Sequence, residues 1–316
     1  MLVIGDLSAE VPDTNAFHWN FEEYSQESQT DVLLYGYNAS DNASLHECLE
    51  KYARKIYFNN WAPCEFAQKR EENGHDGFKK EHFFDEIYSI CPYSNAWLNS
   101  LNLGRVYKDI FYPFHVDLIP DELSKQYDVI YHGGIHGAEH IECLKVMSDY
   151  NYRYCSMTHH INALTQQCLR FATNVNLLFQ EKINLIAQSK ISVCYNLVHV
   201  NPDHVPTIQS YEGWKNNDAF SEVGKWNVMP QFKTRMHEAA MSKTLNLVQK
   251  DSWNIAEDYY VPDEEFIYFT DAADLSHKIR DISNDWANYH EIVDRAYQKS
   301  LSYTCEKFVE KIRGDK

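Results

Sequence analysis

One rhythm runs through the chain, a short apolar strand and then a helical stretch, and it is interrupted once. LVIGDL (Leu2–Leu7), DVLLYGY (Asp31–Tyr37), RKIYFNNW (Arg54–Trp61), EIYSI (Glu86–Ile90) and VYKDIFYPF (Val106–Phe114) read as strands. Helical spacing of apolar residues appears in ASLHECLEKYA (Ala43–Ala53), with Asn42 as its N-cap, and in SNAWLNSLN (Ser94–Asn102). Alternation of this kind predicts parallel strands, because a parallel neighbour is reached only through a crossover. IPDELSKQ (Ile119–Gln126) has neither period and reads as a linker. The rhythm then restarts with YDVIYHGG (Tyr127–Gly134), AEHIECLKVMSD (Ala138–Asp149), YRYCSM (Tyr152–Met157), FQEKINLIAQS (Phe179–Ser189) and ISVCYNLV (Ile191–Val198). After an irregular aromatic stretch over residues 201–229 come the helix FKTRMHEAAMSK (Phe232–Lys243) and the strands LNLVQK (Leu245–Lys250) and EFIYF (Glu265–Phe269). DAADLSHKIRDIS (Asp271–Ser283) is a helix with Asp271 as its cap, and two more helical stretches, about 288–301 and 304–312, close the sequence. At roughly 150 residues per domain, 316 residues fit two α/β domains in tandem, 1–120 and 121–290. Ligands of such sheets bind beyond the carboxyl ends of the strands, so two facing domains would hold a site in the cleft between them.

Charge narrows the partners. Lys plus Arg is 29 and Asp plus Glu is 46, a net charge of −17, which argues against nucleic acid or an anionic membrane as the main partner. No apolar run is long enough for a membrane span, and the acidic start MLVIGDLSAEVPD does not read as a secretory signal, so a cytoplasmic location is expected. The eight cysteines form no CxxC pair and read as reduced core thiols.

Three motifs carry candidate chemistry. YHGGIHGAEH places Gly133 and Gly134 between a strand and a helix, where backbone N–H groups can meet a phosphate. Its spacing is GGxxG rather than GxGxxG, and YRYCSM ends without the acid that would hold a dinucleotide ribose, so NAD is not indicated. His136-Gly137-Ala138-Glu139-His140 spells the HxxEH of inverted zinc peptidases. That motif belongs inside a helix, however, and here its first His follows a strand in a Gly-flanked loop; His136 reads better as a loop residue near phosphate. The third motif is Pro230–Ile279: a helix opening with Lys233 and Arg235, then Glu238, Ala239 and Ala240, a strand, an acidic-aromatic loop, a short strand and an acid-led helix.

This order resembles the donor-binding half of group 1 glycosyltransferases of the GT-B fold. In that family the segment runs from a basic residue to F-E-A-hydrophobic-A, a small turn and a hydrophobic strand, and later to an E-F/V-hydrophobic-Y/F strand with an acid-led helix. The resemblance covers about fifty residues closely and the rhythm from Tyr127 onward in outline. It implies a GT-B-like chain of two Rossmann-like domains, the first on the acceptor side and the second holding a nucleotide sugar. Helices over residues 291–316 would pack back on the first domain. The nucleotide sugar would be the co-substrate, with no metal ion and no other cofactor. Glu238 would hold the ribose, since a carboxylate accepts two hydroxyl hydrogens at once. Lys233 and Arg235 would neutralise charge growing on the diphosphate, and Gly133, Gly134, His136 and Asn196 would line the donor pocket. Two departures stand out. Pro230 occupies the place of a second Glu eight residues before Glu238, and Lys243-Thr244 replaces the usual glycine after the small residues.

The first half says less. Asp6, Glu10, Asp13 and His18 follow the first strand, and His18 is the candidate to take a proton from an acceptor hydroxyl. Trp61 offers an aromatic face to a sugar ring. The acceptor itself, whether glycan, lipid-linked or protein, is not specified. The expectation is thus a glycosyltransferase, with a nonenzymatic nucleotide- or sugar-binding module as the alternative that the Pro230 departure motivates.

Overall fold

The computed structural model describes residues 2–4, 32–35, 53–59, 84–156 apart from 101, 103, 115, 122 and 135–137, 174–206 apart from 201, and 228–314. The chain is α/β and divides into two compact units. One comprises Met1–His115, Val198–Gln231 and Cys305–Lys316; the other comprises Val116–Leu197 and Phe232–Thr304.

The first unit holds strands β1 (Leu2–Ile4), β2 (Val32–Tyr35), β3 (Arg54–Asn59) and β4 (Glu86–Ser89), helix α1 (Pro92–Ser100), and strand β5 (Tyr107–Asp109). All neighbouring pairs are parallel and the order follows the sequence, β1-β2-β3-β4-β5. Helix α1 starts two residues before the expected Ser94. Pro92 opens it, a position where the missing N–H is no loss. Its buried Asn95 donates to Ser89 O at 3.2 Å, Lys108 O at 3.1 Å and Asp109 Oδ1 at 2.7 Å, tying the ends of β4 and β5 together. Strand β5 is shorter than VYKDIFYPF predicts. The ladder bonds stop after Ile110 N, which donates to Ser89 O at 3.0 Å, while Phe111, Tyr112 and Phe114 continue as buried extended chain. The sequence from Asp6 to Glu10, Asp13 and His18, the helix expected from Ala43, and Trp61 lie outside the described residues.

The second unit holds β6 (Tyr127–His132), α2 (Ala138–Met147), β7 (Tyr152–Ser156), β8 (Asn174–Val175), α3 (Phe179–Ala187) and β9 (Ser189–Cys194). Beyond β9 the chain forms β10 (Leu197–His199) and β11 (Val228–Pro230), which pair with each other as a small separate sheet. It then continues through α4 (Arg235–Met241), β12 (Leu245–Gln249), β13 (Ile267–Phe269), α5 (Ala272–Asn284) and α6 (His290–Ser300). The last helix, α7 (Cys305–Arg313), belongs to the first unit: Cys305 N donates to Phe114 O at 2.9 Å, and Phe308 packs edge-on against Phe58 and Phe111.

The second sheet is parallel throughout, in the order β13-β12-β9-β6-β7-β8. From β6 the chain steps outward to β7 and β8, then returns past β6 to build β9, β12 and β13. This reversal puts the right-handed crossovers on opposite faces and makes the β6–β9 boundary a topological switch point. Central strands are buried on both faces. Val129, Ile130 and Tyr131 of β6, Ile191, Val193 and Cys194 of β9, and Leu245, Leu247 and Val248 of β12 form the core of the sheet. That explains why these strands read as continuous apolar runs.

Two local features differ from the sequence reading. ISVCYNLV, read as one strand, is two, broken at Tyr195-Asn196. The helix read from Phe232 starts at Arg235, so Lys233 precedes it. The Lys233 N–H is taken by the Asn196 Oδ1 at 3.0 Å, which anchors the turn that enters the helix. At its other end, α4 closes with Lys243 N donating to Ala240 O at 3.1 Å and Thr244 N to Ala239 O at 2.9 Å. This is a Schellman cap, whose central residue takes φ near +51°. A glycine is the usual occupant; here a lysine adopts the left-handed conformation.

The five described cysteines, Cys91, Cys143, Cys155, Cys194 and Cys305, are free and buried. Among the described residues no helix is long and apolar enough to cross a membrane. Helix α5 is capped as expected: Asp271 accepts from Asp274 N at 2.9 Å, and Asp274 in turn accepts from Thr270 N at 2.9 Å. Asp271→Ala should lower unit stability by about 1 kcal/mol, whereas Asp271→Ser should retain most of it. Chemical denaturation comparing the two variants checks this.

Candidate functional site: a buried charge cluster at the switch point

Three elements bring polar side chains to the carboxyl end of β6. The strand ends in His132, only 3% exposed. Helix α3 contributes Lys182, and α4 contributes Glu238, which is 5% exposed. Lys182 Nζ donates to Glu238 Oε1 at 3.1 Å, across 56 residues of sequence. His132 Nδ1 lies 3.2 Å from Oε2 and braces the second carboxylate oxygen. On its other side His132 Nε2 is 3.0 Å from the Ser192 Oγ of β9. The carboxylate beside Nδ1 draws the proton to that nitrogen, so Nε2 accepts the Ser192 hydroxyl hydrogen. His132 thereby bridges the two strands that flank the reversal.

The electrostatics follow from this packing. Burial alone would raise the Glu238 carboxyl, but the Lys182 charge and the His132 ring reverse that and hold it well below the usual carboxylate range. Burial lowers His132, and Glu238 offsets this only in part, so the ring is neutral near pH 7. The group at the switch point is therefore a carboxylate paired with one ammonium and braced by a neutral imidazole.

Arg235 sits beside this group. Its guanidinium lies over the Tyr131 ring, 5.7 Å from the centroid, with Nη1 3.5 Å from Tyr131 Oη. It also lies flat against the backbone of Gly133, whose φ is +142°. A side chain at residue 133 would place its Cβ 2.4–2.8 Å from the guanidinium atoms. Gly133 is thus required twice over, by its conformation and by the close approach of Arg235. Tyr131 Oη donates to Gly134 O at 2.8 Å and fixes the turn that follows.

The far side of α4 is anchored by His237, fully buried among Phe232, Tyr259, Tyr260 and Tyr303. Its Nδ1 is 2.7 Å from Tyr260 Oη. Burial pushes its pKa down to about 3. Glu238 and its neighbour His237 therefore pin the two faces of a seven-residue helix.

Of the residues singled out in the sequence, Gly133, Gly134, Asn196, Arg235 and Glu238 converge on this end of the sheet, with Lys233 in the turn before α4. Asn196 is only 1% exposed. Its Oδ1 accepts from Lys233 N and its Nδ2 faces Met236 Sδ at 3.0 Å, so its amide braces the turn. His136 and His18 lie outside the described residues. Sequence reasoning missed His132, Lys182 and Ser192. The only hint at His132 was a polar residue ending an apolar strand; Lys182 carried no local signal, because its partner lies on another helix. Among the described residues, no cluster of three or more His, Cys, Asp or Glu is arranged to hold a metal ion.

A doubly wound parallel sheet with a buried acid-base cluster at its switch point defines an α/β unit of Rossmann-like type. The comparisons narrow the class. Residues 180–314, less than half of the chain, match the sequence model of a family described as glycosyl transferase-like. No curated protein matches the sequence. S. aureus TarM superposes with a TM-score of 0.56 at 11% identity, over 92% of this chain and 56% of TarM. Anabaena HepE, solved with UDP and glucose, gives 0.58 at 12% identity, over 90% of this chain and 77% of HepE. Sucrose-phosphate synthase from Thermosynechococcus elongatus gives 0.57 at 12% identity, over 96% and 78%. The chain has a GT-B-like fold of Rossmann-like domains and resembles the group 1 glycosyltransferases. It spans just over half the length of TarM and about three quarters of the other two.

Two predictions come from this geometry. Gly133→Ala should destabilise the protein by about 1–3 kcal/mol, through a residue forced to positive φ and an Arg235 forced off its seat; thermal unfolding reads it. The second concerns acid. Below pH 6.5 an unfolded histidine takes up a proton that folded His237 refuses until about pH 3, so stability falls across that window as pH drops. At pH 5 the loss from this one residue is on the order of 2 kcal/mol. His237→Asn should flatten the dependence of the urea midpoint on pH between about 6.5 and 4, where an unchanged slope would count against this account.

Proposed function

We propose that the chain is a glycosyltransferase that takes a nucleotide sugar at the carboxyl end of the second sheet and passes the sugar to an acceptor hydroxyl. The observation that carries this reading is Glu238: a buried, ionised carboxylate at the switch point, held by Lys182 and His132. A carboxylate accepts two hydroxyl hydrogens at once, which is the chemistry a ribose asks for. Lys182 and His132 hold the carboxylate in one orientation and keep it charged. Arg235, flat on the Gly133 turn, is the cation nearest the backbone where a diphosphate would lie, and Lys233 precedes it on the same turn.

In the proposed step the acceptor oxygen attacks the anomeric carbon as the bond from that carbon to the diphosphate oxygen breaks. The diphosphate leaves with the bonding pair, and its growing charge falls on Arg235 and Lys233. We assign no metal ion to this role. The acceptor proton passes to a base, for which His18 is the candidate. HepE was solved with UDP and glucose, which makes UDP-sugars the first donors to try.

The second reading, a module that binds a nucleotide or a sugar without turnover, draws support from Pro230. This residue stands in β11 where the related enzymes carry a second acid, so a carboxylate for the donor sugar is missing. Incubation with a panel of UDP-, GDP- and ADP-sugars separates the two. Slow release of the nucleoside diphosphate marks the enzyme, and saturable binding without release marks the module. In either case Lys233→Ala combined with Arg235→Ala should weaken nucleoside-diphosphate binding at least about tenfold by calorimetry. Equal affinity in the double variant would remove both residues from the proposed role.

A further inference from the structure

The carboxylate that a ribose would use is covered. Glu238 is 5% exposed, and both of its oxygens face other groups. Lys182 Nζ donates to Oε1 at 3.1 Å, and His132 Nδ1 stands 3.2 Å from Oε2. A ribose pairs with this carboxylate only after one of the covering groups withdraws.

The two covers differ in how they are held. His132 ends a strand that is paired on both sides, is 3% exposed, and has its second nitrogen 3.0 Å from Ser192 Oγ on the neighbouring strand. Moving it means moving β6. Lys182 is the fourth residue of α3, and its side chain is 17% exposed. It therefore marks the side from which solvent approaches the cluster. The helix itself is fixed by buried Phe179, Ile183, Ile186 and Ala187. The ammonium, however, is carried on a flexible four-carbon stem, 4.7 Å from the centroid of the Phe179 ring. Withdrawal of Lys182 takes only side-chain torsions.

A destination lies close by. Arg235 and Glu238 are three residues apart on α4, so they share a face and are separated by less than one turn, about 5 Å along the axis. Both Arg235 and Lys182 are near enough to His132 to oppose its protonation. An ammonium moving from Glu238 toward Arg235 meets a like charge and gives up its carboxylate, so the move is unfavourable by itself. A diphosphate at Arg235 reverses the balance, because its several negative charges accept from more than one cation. A ligand with a ribose and no phosphate uncovers Glu238 without offering the ammonium a new partner.

On the donor reading of Glu238, on which this rests, we propose that Lys182 is a built-in stand-in for the donor. Before binding, its ammonium holds the Glu238 oxygen that a ribose hydroxyl claims. On binding, it passes along α4 to join Arg235 at the diphosphate. The exchange makes Lys182 a specificity residue that favours a nucleoside diphosphate over the bare nucleoside. Calorimetry on the full chain with UDP and uridine, and with GDP and guanosine, tests it. Lys182→Gln keeps an N–H for Glu238 but has no charge to offer a phosphate. It should weaken the diphosphate about tenfold and leave the nucleoside bound at least as tightly as in the wild type. Lys182→Arg should restore the wild-type ratio to within about threefold. A second measurement needs no variant: inorganic pyrophosphate should tighten uridine or guanosine binding to the wild type severalfold, since it draws the ammonium off Glu238. Equal loss of nucleoside and diphosphate in Lys182→Gln, as a merely structural lysine would give, or no coupling to pyrophosphate, overturns the exchange alone. Wild-type protein that takes up neither UDP nor GDP overturns the donor site and this proposal with it.

Discussion

The second unit turns on a single buried carboxylate. An ionised Glu238 removed from water would cost several kcal/mol if left alone. Lys182 supplies the opposite charge from α3, and His132 braces the carboxylate from β6 while taking a hydrogen bond from Ser192 of β9. Four elements from three separate stretches of the sequence therefore meet at one point. That point lies where the order of strands reverses, so the arrangement which stabilises the charge also sets the mouth of the sheet. Losing any one partner leaves an unmatched buried group, a larger penalty than the pair itself contributes. The cluster thus counts for more in fixing geometry than in net stability.

The contrast between the two sheets shows why the site belongs to the second. The described strands of the first unit add in one direction, β1 to β5. Among the described strands of that sheet the order does not reverse. In the second sheet the connections leaving β6 and β9 go opposite ways. The chain leaving β6 and the break after β9 then lie at the same end of the sheet, on neighbouring strands. Gly133 lets a guanidinium lie on the backbone there, and Asn196 holds the turn before α4. Backbone conformation, rather than an isolated reactive side chain, prepares this end of the sheet.

Much of this architecture was legible in the sequence, because strand and helix periods are local. The strands from Arg54, Glu86, Tyr127, Tyr152, Leu245 and Glu265 and the Asp271 cap are all found, with ends shifted by a few residues. Glu238, Arg235 and Gly133 were visible as a motif. What was not visible is what holds them. Nothing near Lys182 marks it as the partner of an acid 56 residues away, and nothing in YDVIYH shows that its histidine will face Ser192 rather than solvent. The sequence pattern makes helix α4 too long for the same reason. Ahead of its start the Lys233 N–H is met by the side chain of Asn196, 37 residues earlier. Local propensity sets the elements, and contacts between distant residues trim them.

A net charge of −17 is a poor setting for the anionic ligand proposed. The resolution lies in distance and burial. Charges spread over the surface are screened within roughly 8–10 Å at ordinary ionic strength, whereas a guanidinium packed into a turn acts in a lower dielectric and is screened much less. Arg235 rests on Gly133 and the Tyr131 ring, partly shielded from water. Glu238 is neutralised by Lys182, so the carboxylate beside it does not cancel the field of Arg235. The same pairing that makes burial of Glu238 tolerable therefore leaves a local positive potential at the end of the sheet, in a protein whose overall charge is strongly negative.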